Sequence, residues 1–157
     1  MSDVSPPQLS IDRAVELVTA YLGAWTERRT PARRRLLHHC WSETGTFSAW
    51  TTHVEGFDAM DSHIANALRQ EPRRCRRMRT SEVHVSHNKI SFTWMLIDEY
   101  DQLVLEGSEF AEVGDDGRFE RVTSFAGRPA AEDDDDDVVA EAEAEERAEA
   151  SRVEGWL

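Results

Sequence analysis

Glu109 is the residue best suited to proton chemistry. It sits in an alternating run from Leu103 to Val113, where Leu105, Gly107, Glu109 and Ala111 share one face and Val104, Ser108 and Phe110 the other. A carboxyl among small or apolar neighbours has its charged form disfavoured, so its pKa should rise, as a proton-transfer group requires. The competing reading turns Glu109 to solvent or pairs it with an arginine such as Arg121. Tyr21 and Trp25 are one helical turn apart on an apolar stripe, so both should face inward. Tyr21 is then a buried hydrogen-bond donor or a packing residue, and Trp25 a pocket wall or plain core. Trp50 and Trp94, on strand-like runs, are pocket walls, core or interface residues.

The histidines do not form a metal site. His84 and His87 are three apart on a strand and diverge, as do the adjacent His38 and His39 on a helix. No His-Glu-x-x-His or similar spacing occurs, and no metal is expected. His63 falls on the apolar face of a helix, where a core histidine and a pocket residue are the alternatives. Cys40 and Cys75 have no metal-like or disulfide-framework spacing and read as free thiols.

Three helices and a sheet must position these groups. Ser10 caps a helix whose stripe runs Ile11, Ala14, Val15, Val18, Tyr21, Leu22 and Trp25, with Arg28 and Arg29 in its last turn. Thr30-Pro31 restarts a second helix carrying Leu36, Leu37 and Cys40-Trp41. Residues 46–50 read as a short strand, followed by a loop that holds His53 and ends at Gly56. Asp58 caps a third helix with Met60, His63, Ile64, Ala67 and Leu68 on one face. Strand signals then cover 79–87, 90–100, 103–113 and 118–125, with Asp115-Asp116-Gly117 as a hairpin turn. Short turns between successive strands predict an antiparallel meander, and the helices must pack on one of its faces. The class is α+β, three N-terminal helices on a curved, mostly antiparallel sheet.

Charge separates body from tail. Of the net −13, residues 132–157 carry −10, from twelve acidic and two basic residues, and the remainder carries −3. The chain divides into a polar segment 1–8, a domain 9–128 and an acidic tail 129–157, whose composition resists ordering except for a short apolar end, Gly155-Trp156-Leu157. Residues 69–79 hold six arginines and read as a solvated loop. The acidic tail can fold back on that patch, and with the net charge it argues against nucleic acid as a partner. No run is long enough to span a bilayer, and the N-terminus lacks a signal-peptide pattern, so a cytoplasmic location without membrane contact is expected.

Four pieces in order carry a resemblance. They are Val18-Thr-Ala-Tyr-Leu-Gly-Ala-Trp25; His53-Val-Glu-Gly56; Phe92-Thr-Trp94; and Glu106-Gly-Ser-Glu-Phe-Ala-Glu112 with Asp116-Gly-Arg118 and Val122-Thr-Ser-Phe-Ala-Gly127. Over residues 11–127 the chain resembles the nuclear transport factor 2-like superfamily, and most closely its SnoaL-like branch. The resemblance implies a cone-shaped α+β barrel around a pocket, and a homodimer formed through the sheet. It also implies a small hydrophobic molecule as ligand and no cofactor. In the ketosteroid isomerase relatives a tyrosine and a protonated acid hold an oxyanion, and Tyr21 and Glu109 match those positions. Their aspartate base would fall at Ala49, which cannot accept a proton. In SnoaL-like cyclases the late-strand carboxylate itself moves the proton, again Glu109. His53, near the implied pocket mouth, could replace the missing base. Trp25, Trp50, His63, Trp94, Leu105 and Phe125 would line the pocket. The functional expectation is acid/base catalysis of the cyclase, isomerase or hydrolase type. The alternative is a ligand-binding or dimerisation module that has lost its base.

Overall fold

The computed structural model describes residues 8–71 and 74–127. The N-terminal segment and the acidic tail, with its expected docking on the arginine patch, lie outside the described residues. Helix α1 spans Ile11–Ala24, α2 Thr30–Cys40 and α3 Phe57–Gln70. The strands are β1 Trp41–Ala49, β2 Thr52–Glu55, β3 Arg76–Arg79, β4 His84–Ser86, β5 Lys89–Ile97, β6 Leu103–Val113 and β7 Phe119–Gly127.

Local chemistry accounts for most boundaries. The Ser10 hydroxyl accepts from the Arg13 amide, and Asp12 lies in the first turn, so both suit the positive end of α1. The helix closes at Ala24, leaving Arg28 and Arg29 beyond it rather than in its last turn. Ile11 is exposed and not part of the buried stripe. Pro31 opens α2. Gly56, at φ 92, takes the N-cap of α3, a role expected of Asp58, which instead adds charge to the first turn.

Trp41 leaves α2 and begins β1, so the first strand is nine residues long rather than five. The expected loop before Gly56 is in fact β2, hairpinned to β1 with Ala49 opposite Thr52. The expected strand 79–87 is two strands, β3 and β4, both paired with β5. The break has a local cause. Thr80 N still donates to Thr93 O, but Thr93 N donates to the Ser81 hydroxyl, so a side chain takes the place of the backbone ladder.

The sheet order is β2-β1-β7-β6-β5-β3, with β4 also on β5. All pairs are antiparallel except β1 with β7, which run parallel. The sheet curls without closing, and β2 and β3 are its edges. The helices cover the inner face, where Phe47, Ile90, Phe92, Trp94, Leu96, Leu105 and Val122 pack with Ala14, Leu17, Tyr21, Met60 and Ile64. A buried ion pair, Arg33 Nε to Asp61 at 2.6 Å, ties α2 to α3.

Candidate functional site

One row of the sheet organises the interior. Phe92 on β5 lies opposite Glu109 on β6, Glu109 opposite Ser124 on β7, and Ser124 beside Ala49 on β1. Glu109 is 3% exposed. Its Oε1 accepts from Trp94 Nε1 at 3.0 Å and from the Ser124 hydroxyl at 3.1 Å. Its Oε2 is buried without a hydrogen-bond partner. Burial pushes the carboxyl up to about 8, although the Ser124 hydrogen bond, the Arg77 charge, Trp94 and Tyr21 all pull it down. At neutral pH Glu109 is therefore a carboxylic acid with a proton to give.

Gly107 makes this geometry possible. A Cβ there would fall 2.7 Å from the Trp94 ring and 2.9 Å from the Phe125 carbonyl oxygen. Without one, the Trp94 indole packs directly on the Gly107 backbone in the neighbouring row, and its N–H reaches Glu109.

Helix α1 brings Tyr21 over the same row. Its ring packs edge-on to Phe92 at 6.3 Å, Phe119 at 5.8 Å and Trp25 at 6.3 Å. The hydroxyl is buried beside Trp25 and Glu109 and closes no short, well-aligned hydrogen bond with either. Burial first, and then the nearby Glu109 charge, hold the phenol well above its usual range, so Tyr21 stays a donor. Trp25 Nε1 and His63 Nε2 are likewise buried and unpartnered. The His63 ring meets Trp25 edge-on at 5.7 Å and Phe47 at 5.4 Å. Burial, then Arg77, depress its pKa to about 4, so the imidazole is neutral.

Arg77 completes the cluster, and sequence reasoning missed it. Its side chain, in a stretch read as a solvated loop, is only 3% exposed. The guanidinium carbon is 4.5 Å from the ring centres of both Trp25 and Trp94. Nη2 donates to Glu71 at 2.8 Å, and Nε is buried without a partner. The orienting Ser124 and Glu71 were missed as well. The available signal was strand alternation in Arg76-Arg77-Met78-Arg79, but three of those four residues are arginine and they fall on both faces. Pairing with β5 sets Arg77 and Arg79 opposite Leu96 and Trp94, and of the two only the Arg77 side chain is buried.

Of the residues expected at the site, Glu109, Tyr21, Trp25, Trp94 and Leu105 lie in the interior, with Leu105 beside Leu96, and His63 is half-buried against Trp25 and Phe47. Three do not. His53 pairs with Ser48, whose neighbours Phe47 and Ala49 point inward, so both side chains face outward. There Ser48 Oγ and His53 Nδ1 are 2.9 Å apart, and His53 Nε2 lies 3.1 Å from Glu55. Trp50 occupies the β1–β2 turn at φ 42 and is 73% exposed. Phe125 follows inward Ser124, so strand parity turns it outward, 63% exposed and edge-on to Phe110. Trp50 and Phe125 instead line an open groove of about 570 Å³ beside Ser48 and Thr123. Among the described residues, no three His, Cys, Asp or Glu side chains are grouped to hold a metal ion. Cys40 and Cys75 are free, and burial pushes the Cys40 thiol up to about 12. No described helix is long and apolar enough to cross a membrane.

Three helices packed on a curved, mostly antiparallel open sheet make up the nuclear transport factor 2-like fold. Among solved structures, the chain is similar to a candidate isomerase of the SnoaL-like family from Agrobacterium tumefaciens C58. The two share 24% identity at a TM-score of 0.68, over 74% of this chain and 99% of that one. It is also similar to a candidate SnoaL-like polyketide cyclase from Jannaschia sp. CCS1, with 15% identity, a TM-score of 0.60, and 80% and 91% of the two chains covered. A SnoaL-like protein of unknown function from Burkholderia thailandensis E264 matches at 13% identity and a TM-score of 0.60, covering 78% of this chain and all of that one. No protein-family profile matches the sequence, and no curated protein does.

Proposed function

We propose that the chain is an acid/base catalyst of the cyclase or isomerase type, working on a small hydrophobic carbonyl compound held against the inner face of the sheet. The observation that carries this reading is the free, buried Oε2 of Glu109 in a cluster with the free hydroxyl of Tyr21. Both groups carry a proton at neutral pH, so both can donate to one developing oxyanion. As a proton leaves the carbon beside the carbonyl, its electron pair forms the new carbon–carbon double bond. The carbonyl π pair moves onto the oxygen, and Glu109 delivers its own proton to that oxygen to give the enol. The methyl group of Ala49 occupies the row where a carboxylate base is expected. Neutral His63, with an unpartnered Nε2, is the remaining interior acceptor and takes the role first expected of His53.

Glu109→Gln tests the assignment by keeping size while removing the proton. Against a panel of small cyclic ketones and β-keto esters, turnover should fall by about a hundredfold or more. Near wild-type turnover would mean that Glu109 does not transfer the proton. The absence of a carboxylate at Ala49 favours the second reading, a binding module. In that case no carbonyl compound is turned over, although ligands still bind. The outward aromatic pair Phe110 and Phe125 supports a homodimer through the sheet. Sedimentation of wild type and Phe110→Asp should then give a dimer and a monomer, and a monomeric wild type would end that reading.

A further inference from the structure

The interior is short of acceptors. Four buried groups there can each present a hydrogen and close no full hydrogen bond with it: the Tyr21 hydroxyl, which approaches only Trp25 and Glu109, Trp25 Nε1, Arg77 Nε and Oε2 of Glu109 in its acid form. Among these groups the acceptors are the Tyr21 and Glu109 oxygens themselves and, in one tautomer, His63 Nε2. These groups are contiguous. Trp25 packs against Tyr21 and His63 and under the Arg77 guanidinium, which lies between Trp25 and Trp94, and Trp94 is bonded to Glu109. Unsatisfied buried donors are costly, and four in one cluster call for a molecule that supplies several oxygens and few hydrogens.

Arg77 narrows the choice further. Its guanidinium is held on both faces by indoles and at one nitrogen by Glu71, itself buried. This fixes the direction of the remaining Nε–H in advance, and a hydrogen bond from a charged donor is strongest to an anionic oxygen. The rings beside these groups are Tyr21, Trp25, Phe92 and Trp94, whose flat faces and edges favour a planar conjugated frame.

We propose that the natural ligand is a small planar oxoacid, carrying a carboxylate or an equally acidic enol, whose anionic oxygen is taken by Arg77 Nε and whose further oxygens meet Tyr21 and Trp25. This rests on the reading of the interior as the working site, though not on catalysis there. It makes Arg77 the binding residue that orients the ligand, with Glu71 and the two tryptophans as its positioning residues.

The probes are 4-fluorobenzoate, 4-fluorobenzamide and 4-fluorobenzylammonium, alike in size and differing in charge and donors. Fluorine NMR titration of the full chain should show the benzoate binding about tenfold or more tighter than the ammonium, with the amide between them. Removing only the arginine would strand Glu71, so the variant is the double change Glu71→Gln with Arg77→Gln. It should bring benzoate down to the level of the amide. Circular dichroism melting of this variant establishes that it is folded before it is titrated. Glu109→Gln should keep the benzoate preference, even where it abolishes turnover, so binding and catalytic readings fail separately. Equal affinities in the wild type, a preference for the ammonium, or no saturable binding of any probe at millimolar concentration overturns the proposal. A preference that survives loss of Arg77 overturns it too.

Discussion

Glu109 and His63 answer to pH in opposite senses. His63 stays neutral down to about 4 in the fold but takes a proton near 6.5 when free, so between those values the unfolded chain holds the extra proton. Stability therefore falls as pH drops through that window. Glu109 keeps its proton to about 8 in the fold but loses it near 4.5 when free, so there the native chain holds the extra proton. Stability from this group falls as pH rises from 4.5 to 8. The two slopes cancel between 4.5 and 6.5, so the melting temperature should be highest on that plateau and decline on both sides. Glu109→Gln should flatten the decline between 6.5 and 8, and an unchanged alkaline limb would show that Glu109 is ionised in the native state. The inward direction of Glu109 was legible, because strand period two depends only on neighbours in the chain. The misplacement of His53 has the same root. Residues 52–55 lack a clear alternation, so β2 and its outward face could not be seen before β1 supplied the partner.

At the scale of elements, β5 and β6 act as one device. The bare backbone of Gly107 lets the Trp94 ring pack close, and that ring in turn aims its N–H at Glu109. Gly107→Ala should shift the indole or the backbone, because the new methyl meets the ring at 2.7 Å and the Phe125 carbonyl at 2.9 Å. The expected cost is about 1–3 kcal/mol in chemical denaturation, together with a changed tryptophan emission as the Glu109 hydrogen bond is lost. Wild-type stability and emission would mean that the ring has room to give. The alternation on β5 and β6 was legible because apolar and polar residues take turns. On β3 it was not, since arginines occupy both of its faces, and the burial of Arg77 comes from its place opposite Leu96 and against the two indoles. The Arg77 anchor is therefore a tertiary feature, visible only once Leu96 lies opposite it.

Across the whole molecule the helices, the late hairpin and the one-sided packing follow from local patterns, and so does the fold class. The topology departs from a simple meander at one point. The last strand, β7, does not extend an edge but lies between β1 and β6. Parallel pairing with a strand more than seventy residues earlier leaves no local signature, because neither strand's pattern names its partner. That insertion has a temporal consequence. Until β7 is in place, β1 with its hairpin and the β5–β6 pair are two fragments with no bonds between them. Closing the longer loop costs more entropy than closing the β5–β6 hairpin. Pulse-labelled hydrogen exchange during refolding should thus protect β5–β6 amides before those of the β1–β7 pair, and simultaneous protection would refute this order. Ser124 rides on β7, which the turn at 114–117 holds beside β6. The carboxyl of Glu109 should accordingly gain its second hydrogen bond within that local hairpin, before β1 joins the two fragments.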